Sequence, residues 1–132
     1  MGFKDRFLKA EEEAWKGNVN ALEEVDDPNI VIHMCLHPVG MLPDLVGVEA
    51  HKQNILGSLK ALSNVKQKWS NFVEEGDKAA VHYKSQGNMT GQMPGLPPPN
   101  GRKVTTEVLM MFQLKKGKIT ECWMYGLSNF FS

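Results

Sequence analysis

The stretch IVIHMCLHPVG, residues 30–40, sets His33, Cys35 and His37 two residues apart, and all three side-chain types ligate metals readily. On an extended strand they share one face, with Ile32, Met34 and Leu36 on the other. Neighbours two apart then sit about 6.6 Å from each other and the outer pair about 13 Å. Zinc holds nitrogen and sulfur ligands at about 2.0–2.3 Å. One His–Cys pair can therefore share an ion, but all three cannot without a bend. His51 and His82 add no recognisable ligand spacing, so the expectation is no metal and no cofactor. Two alternatives remain: a strand whose Cys fills space and whose histidines hydrogen-bond locally, or one whose His33 borders a pocket.

Other polar side chains qualify for proton transfer. His82 would share a strand face with Lys84 and Gln86. Glu107 lies in VTTEVLMMF with Leu109, Met111 and Gln113 on its own side, and a carboxylate among apolar neighbours is a candidate base. An exposed strand face or a dimer interface accounts for Glu107 equally well. Tyr83 and Tyr125 each carry a phenolic proton that can meet a carbonyl. The catalytic candidates are thus His33, His82 and Glu107.

Apolar side chains gather in the second half of the chain: Trp69, Phe72, Met89, Met93, Met110, Met111, Phe112, Trp123 and Met124. Strand alternation sends half of them into a core. The other half can line a cavity, where flexible thioethers and flat indoles suit a greasy, partly aromatic ligand. Trp69, Tyr83, Met89, Met111, Trp123 and Tyr125 are the candidate substrate-binding residues.

The elements that must position these groups follow from periodicity. Phe3, Phe7, Ala14 and Trp15 mark one helix face, leaving Glu11, Glu12 and Glu13 for solvent. Gly17 stops that helix, Asn18 or Asn20 caps a short second helix through Val25, and DDPN at 26–29 breaks the chain. A strand over 30–36 ends at Pro38 and Gly40. A third helix fits 48–62, with Val48, Ile55, Leu59 and Leu62 on one stripe and Lys52, Gln53 and Lys60 away from it. From residue 65 the period becomes two. The pattern predicts two strands joined at Glu75-Gly76-Asp77, a Pro-rich connection at 92–101, and strands over 103–114 and 118–125 joined by KKG. Two phenylalanines in the tail LSNFFS need cover. Helices followed by an antiparallel meander define an α+β class, and a long curved sheet folded over helices leaves a hollow suited to a small molecule.

Composition narrows the function classes. The 132 residues fit one domain, 1–132, with a sizeable core. Lys plus Arg and Asp plus Glu both number 15, which argues against a basic nucleic-acid face. No run approaches the roughly 20 apolar residues of a membrane helix. The charged, amphipathic start does not read as a secretory signal, and Arg6 breaks the myristoylation pattern after Gly2. Cys35 and Cys122 do not make a disulfide framework. A cytoplasmic protein is expected, without nucleic-acid or membrane partners.

Several motifs resemble a known family. GVEAHKQNI at 47–55, GNMTGQMPGLPPPNGRKV at 87–104 and LKKGKITECW at 114–123 are similar to segments of SnoaL-like polyketide cyclases (ester cyclases), within the NTF2-like superfamily. The resemblance runs from the first helix to Tyr125. It implies a cone-shaped α+β barrel, with a curved antiparallel sheet wrapped around the N-terminal helices, and a first strand that borders the cavity. The implied reaction is an aldol-type ring closure by general acid–base chemistry. The chain departs from the family at the positions that carry this chemistry: Asn88 and Met89 stand where the family has Thr and His, and Leu127 where the acid/base Asp falls. His82 occupies a place where an Arg is common, and Glu121 matches the closing hairpin. PPPNG is one residue longer than the usual turn. On this resemblance the chain is a cyclase- or isomerase-like protein for a polyketide-like carbonyl compound, with His33, His82 or Glu107 replacing the missing Asp. The alternative is a non-catalytic carrier or sensor of an apolar metabolite. A homodimer through the outer sheet face is also expected.

Overall fold

The computed structural model describes residues 2–92, 96 and 98–131. Met93, one of the apolar residues expected in either the core or a cavity lining, lies outside the described residues.

Helix α1 spans Phe3–Ala14 and is followed by a 3₁₀ segment, Val19–Glu24, where a short second helix was expected. Strand β1, Asp26–His37, begins four residues earlier than the apolar run, because DDPN is already extended. Short strands β2, Gly40–Met41, and β3, Leu45–Val46, then double back along the edge of β1. Helix α2 covers Val48–Ala61, and the meander consists of β4 Leu62–Glu75, β5 Lys78–Met89, β6 Lys103–Lys115 and β7 Lys118–Ser128.

The strands form one sheet in the order β2-β1-β7-β6-β5-β4, with β3 beside β1. Pairing is antiparallel throughout the meander, but β1 runs parallel to β7. The first long strand therefore closes the sheet against the last one, and α2 lies in the connection between β1 and the meander. Two register shifts in β4, near Asn64 and Asn71, bend that strand, and both asparagines take φ +55°. Bulges of this kind add local twist, and Asn tolerates the left-handed region better than most side chains. At Gly126 the strands approach so closely that a Cβ would stand 2.1 Å from the Glu107 carbonyl oxygen. Only glycine fits there.

The helices occupy the concave side of the sheet. Phe7 is almost fully buried and meets Phe112 at 5.0 Å and Trp69 at 5.1 Å between ring centroids. Val81, Val108, Met110 and Ile119 complete this inner layer. Burying each such side chain contributes about 1.5–3 kcal/mol. A smaller cluster of Ala61, Met89 and Val104 holds Leu62, Leu96 and Phe130 beside it. The Arg102 guanidinium donates to the carbonyls of Asn129 and Phe130 at 2.7 and 2.8 Å, which ties the tail down. Cover for Phe130 is thus found at the second cluster, while Phe131 remains 43% exposed.

Two polar residues expected in solvent are buried. Glu11 lies on the core face of α1, four residues after Phe7, and is 7% exposed. Lys52 is buried and donates to Asn20, Glu23 and Glu49 at 2.7–3.0 Å, clasping the 3₁₀ segment to α2. No helix among the described residues is long and apolar enough to cross a membrane.

Candidate functional site

Strand parity decides which side of the sheet each candidate reaches. On β1, Ile30, Ile32, Met34 and Leu36 face the core, so His33, Cys35 and His37 face outward. His33 is therefore not at the rim of the inner hollow. Its Nδ1 lies 3.0 Å from Asp44 and its Nε2 2.6 Å from Glu121, and its ring lies against Trp123 at 5.8 Å. Hydrogen bonds accepted by Glu121 first and Asp44 second raise its pKa. Among the described residues no group of three metal-ligating side chains converges.

His82 and Glu107 also face outward. They meet each other across the β5–β6 pair, His82 Nε2 to Glu107 Oε2, at 2.7 Å. Met111, Trp123 and Tyr125 share that outer face and line a groove with them. Of the expected substrate-binding residues only Trp69 and Tyr83 stand on the inner wall of the cone, with their rings 4.2 Å apart. Met89 points inward but is packed in the second cluster, away from the hollow.

The inner hollow has two lobes. The mouth lobe, about 270 Å³, is walled by Trp15, Met34, Leu36, Met124, Phe130 and Phe131 among others. The deep lobe, about 70 Å³, is lined by apolar side chains together with Glu11, Asp26 and His51. Tyr83, Trp15, Met34, Asn54 and Met124 border both lobes.

The deep lobe holds the buried ionisable groups. Asp26, 2% exposed at the start of β1, accepts from His51 Nδ1 at 2.6 Å. His51 comes from the first turn of α2, so a strand start and a helix start meet under α1. Burial works against the imidazolium, but the hydrogen bond and charge of Asp26, with Glu11 nearby, raise the His51 pKa overall. Glu11 hangs from α1 above them. Burial is the main cause that pushes its pKa to about 7; Asp26 adds to the rise, while His51 and the Trp15 indole N–H oppose it. The Tyr83 hydroxyl accepts from Gln67 Nε2 at 2.8 Å, and burial pushes its pKa up to about 12, so it remains a phenol. Burial likewise pushes the Cys122 thiol well up, which leaves it a poor nucleophile.

This arrangement sets an imidazole whose proton affinity Asp26 raises beside a carboxyl group that changes protonation around pH 7. Two titratable groups with different proton affinities, facing one small apolar space, are what acid–base catalysis at a carbonyl requires.

Sequence patterning missed all three members of this cluster. The helix face marked by Phe3, Phe7, Ala14 and Trp15 leaves Glu11 with Glu12 and Glu13 on the solvent side. Its spacing of four from Phe7 was the contrary signal. His51 lies three after Val48 and four before Ile55, on the buried stripe of α2. Asp26 belongs to DDPN, a segment whose composition signals a break but which opens β1.

The SnoaL-like polyketide cyclase family model matches residues 6–126. The chain belongs to the SnoaL-like polyketide cyclase family. Solved structures of similar fold include a candidate SnoaL-like cyclase from Jannaschia sp. CCS1, with TM-score 0.77 and 18% identity, over 96% of this chain and 85% of that one. IdmH, a candidate polyketide cyclase from Streptomyces antibioticus, gives TM-score 0.74 and 22% identity over 98% and 93%. AclR, a candidate hydroxylase from Streptomyces galilaeus, gives 0.70 and 17% over 92% and 86%. The same SnoaL-like fold thus carries names for more than one chemistry, and the side chains in the cone have to decide between them. No curated protein sequence matches the chain. In this SnoaL-like protein, Leu127, where the sequence resemblance puts the family's Asp, faces outward and is 52% exposed.

Proposed function

We propose that the protein is a cyclase-type acid–base catalyst that binds a polyketide-like carbonyl compound in the inner cone. The observation that carries this reading is the buried Asp26–His51 pair with Glu11 beside it in the deep lobe. Family membership supports the same class of chemistry.

In the proposed step the ligand's apolar body occupies the mouth lobe and its carbonyl enters the deep lobe. The Glu11 carboxylate removes a proton from the carbon next to that carbonyl, and an enolate forms. The enolate carbon attacks a second carbonyl of the same molecule, closing a ring. His51, protonated and oriented by Asp26, gives its proton to the resulting alkoxide. Water then carries the proton from Glu11 back to His51, and both groups return to their starting states.

The test is proton exchange at the carbon next to a carbonyl. Incubated with 2-tetralone in D₂O, the wild type is expected to accelerate deuterium uptake seen by NMR, and Glu11→Gln to lose about 100-fold, within the usual range for a general base. Exchange no faster than buffer, or unchanged in Glu11→Gln, overturns the mechanism.

A second reading, a non-catalytic carrier of an apolar metabolite, is favoured by Met89 and Leu127, apolar side chains where the sequence resemblance puts the family's acid/base residues. Native mass spectrometry separates the two, since a carrier retains its ligand through purification and a turnover catalyst does not.

A further inference from the structure

Residues 129–131 follow β7 outside regular structure, yet side chains hold them in place. The Arg102 guanidinium donates to the carbonyls of Asn129 and Phe130 at 2.7 and 2.8 Å. The Asn129 side chain accepts from the Thr105 N–H at 2.8 Å and donates to the Lys103 carbonyl at 3.0 Å. The Phe130 N–H donates to Ser128 Oγ, which is itself paired with Thr106 Oγ1. Each of these bonds orders a side chain at an entropic cost, so the path of the segment is closely specified.

What this clasp positions is an aromatic wall. Phe130 and Phe131 meet edge to face, with centroids 4.9 Å apart, and both border the mouth lobe. Neither borders the deep lobe, whereas Trp15, Met34, Tyr83 and Met124 border both. The two rings thus stand at the end of the hollow away from Glu11 and His51. Phe130 is covered by the second cluster, but Phe131 is 43% exposed. A ring whose backbone is fixed, bare of protein cover and bordering a cavity, is apolar surface that a ligand can cover.

The volumes set the size of that ligand. An apolar cavity of about 150 Å³ takes one benzene ring. The mouth lobe, about 270 Å³, therefore takes a body of two fused rings, and the deep lobe, about 70 Å³, takes a carbonyl group with its neighbouring carbon. A third ring in line runs into the tail.

We propose that Phe131, held in place through Arg102, is the specificity-determining wall of the cone and limits its ligand to an aryl ketone of two fused rings. The proposal rests on the reading of the inner cone as the ligand site. Arg102 does not line the hollow; it is a positioning residue that acts through the tail carbonyls. Edge-to-face contact with Phe131 favours a flat ring over a saturated one.

The experiment measures binding of 2-acetylnaphthalene and 2-acetylanthracene by quenching of tryptophan fluorescence, since Trp15 and Trp69 line the hollow. Wild type is expected to bind the two-ring ketone about tenfold more tightly than the three-ring one, the ordinary penalty for overfilling a packed site. Phe131→Ala should make the two Kd values nearly equal, chiefly by tightening the three-ring ketone, and Arg102→Ala should do the same. A merely structural role for Arg102 would weaken both ketones alike and leave their ratio unmoved. Phe131→Tyr keeps the ring and should keep the wild-type ranking. Equal affinities or no binding in wild type, or an unchanged ratio in Phe131→Ala or Arg102→Ala, overturns the proposal. The readout is binding rather than turnover, so the two readings fail separately. A protein with this ranking that exchanges no deuterium fails as a cyclase and keeps the wall. One that exchanges deuterium but binds both ketones equally keeps its acid–base cluster and loses the wall.

Discussion

His51 Nδ1 stands 2.6 Å from Asp26 Oδ2 inside the cone, and the two residues come from elements separated by the whole edge-strand excursion. The pair fixes which ring nitrogen faces the carboxylate, on a residue that lines the hollow. Replacing Asp26 by Asn removes the charge that holds the imidazolium. The His51 pKa, followed by the ring-proton NMR signal, is expected to fall, and exchange catalysis to fall about 100-fold with it. An unchanged His51 titration would show that the pair does not control the ring.

Glu11 links the cluster to stability. Its ordinary pKa is 4.5 and its folded value about 7, so between these the folded protein keeps a proton that the unfolded chain has released. Stability therefore declines as pH rises from about 4.5 to about 7, by about 3 kcal/mol in full. Glu11→Gln removes this dependence. Denaturant unfolding should show the variant more stable than wild type at pH 8 and little changed at pH 4. An equal difference at both pH values would contradict a buried, proton-retaining carboxyl.

The aromatic centre predicts a large packing effect. Phe7 lies within 6 Å of four other rings, those of Phe3, Trp69, Phe72 and Phe112. Phe7→Ala is expected to cost about 3–5 kcal/mol, a sizeable part of the total stability of a domain this size. Urea denaturation monitored by tryptophan fluorescence measures it.

The tail can be released without touching the core. Arg102→Ala removes both charge-assisted hydrogen bonds to the carbonyls of Asn129 and Phe130. Local loss of about 1–3 kcal/mol is expected. Chymotrypsin should then cut at Phe130 faster than in wild type, with the rest of the chain equally resistant. Equal cutting would mean that the tail is held elsewhere.

Periodicity alone located the long strands, α1 and α2 within a few residues, because Phe3–Phe7 and Val48–Ile55 spacing and the alternation around Val81 and Val108 are strong signals. It did not reveal the parallel β1–β7 pairing, since neither strand's pattern names its neighbour. The same limit governed the site. Alternation showed that His82 and Glu107 lie among residues of one face, but not that this face is the outer one. Glu11, Asp26 and His51 are scattered over three elements, and only the fold brings them together. A charged side chain at a core spacing, as Glu11 is relative to Phe7, was the one local clue.

The parallel contact of β1 with β7 also bears on how the molecule is made. A chain emerging from the ribosome carries β1 well before β7 and leaves one edge of β1 bare until β7 has been made. Such long-range closure slows folding and prolongs exposure of an adhesive strand. Short β2 and β3 lie on the other edge of β1 from the outset, and this local pairing is the protection available to a half-synthesised chain.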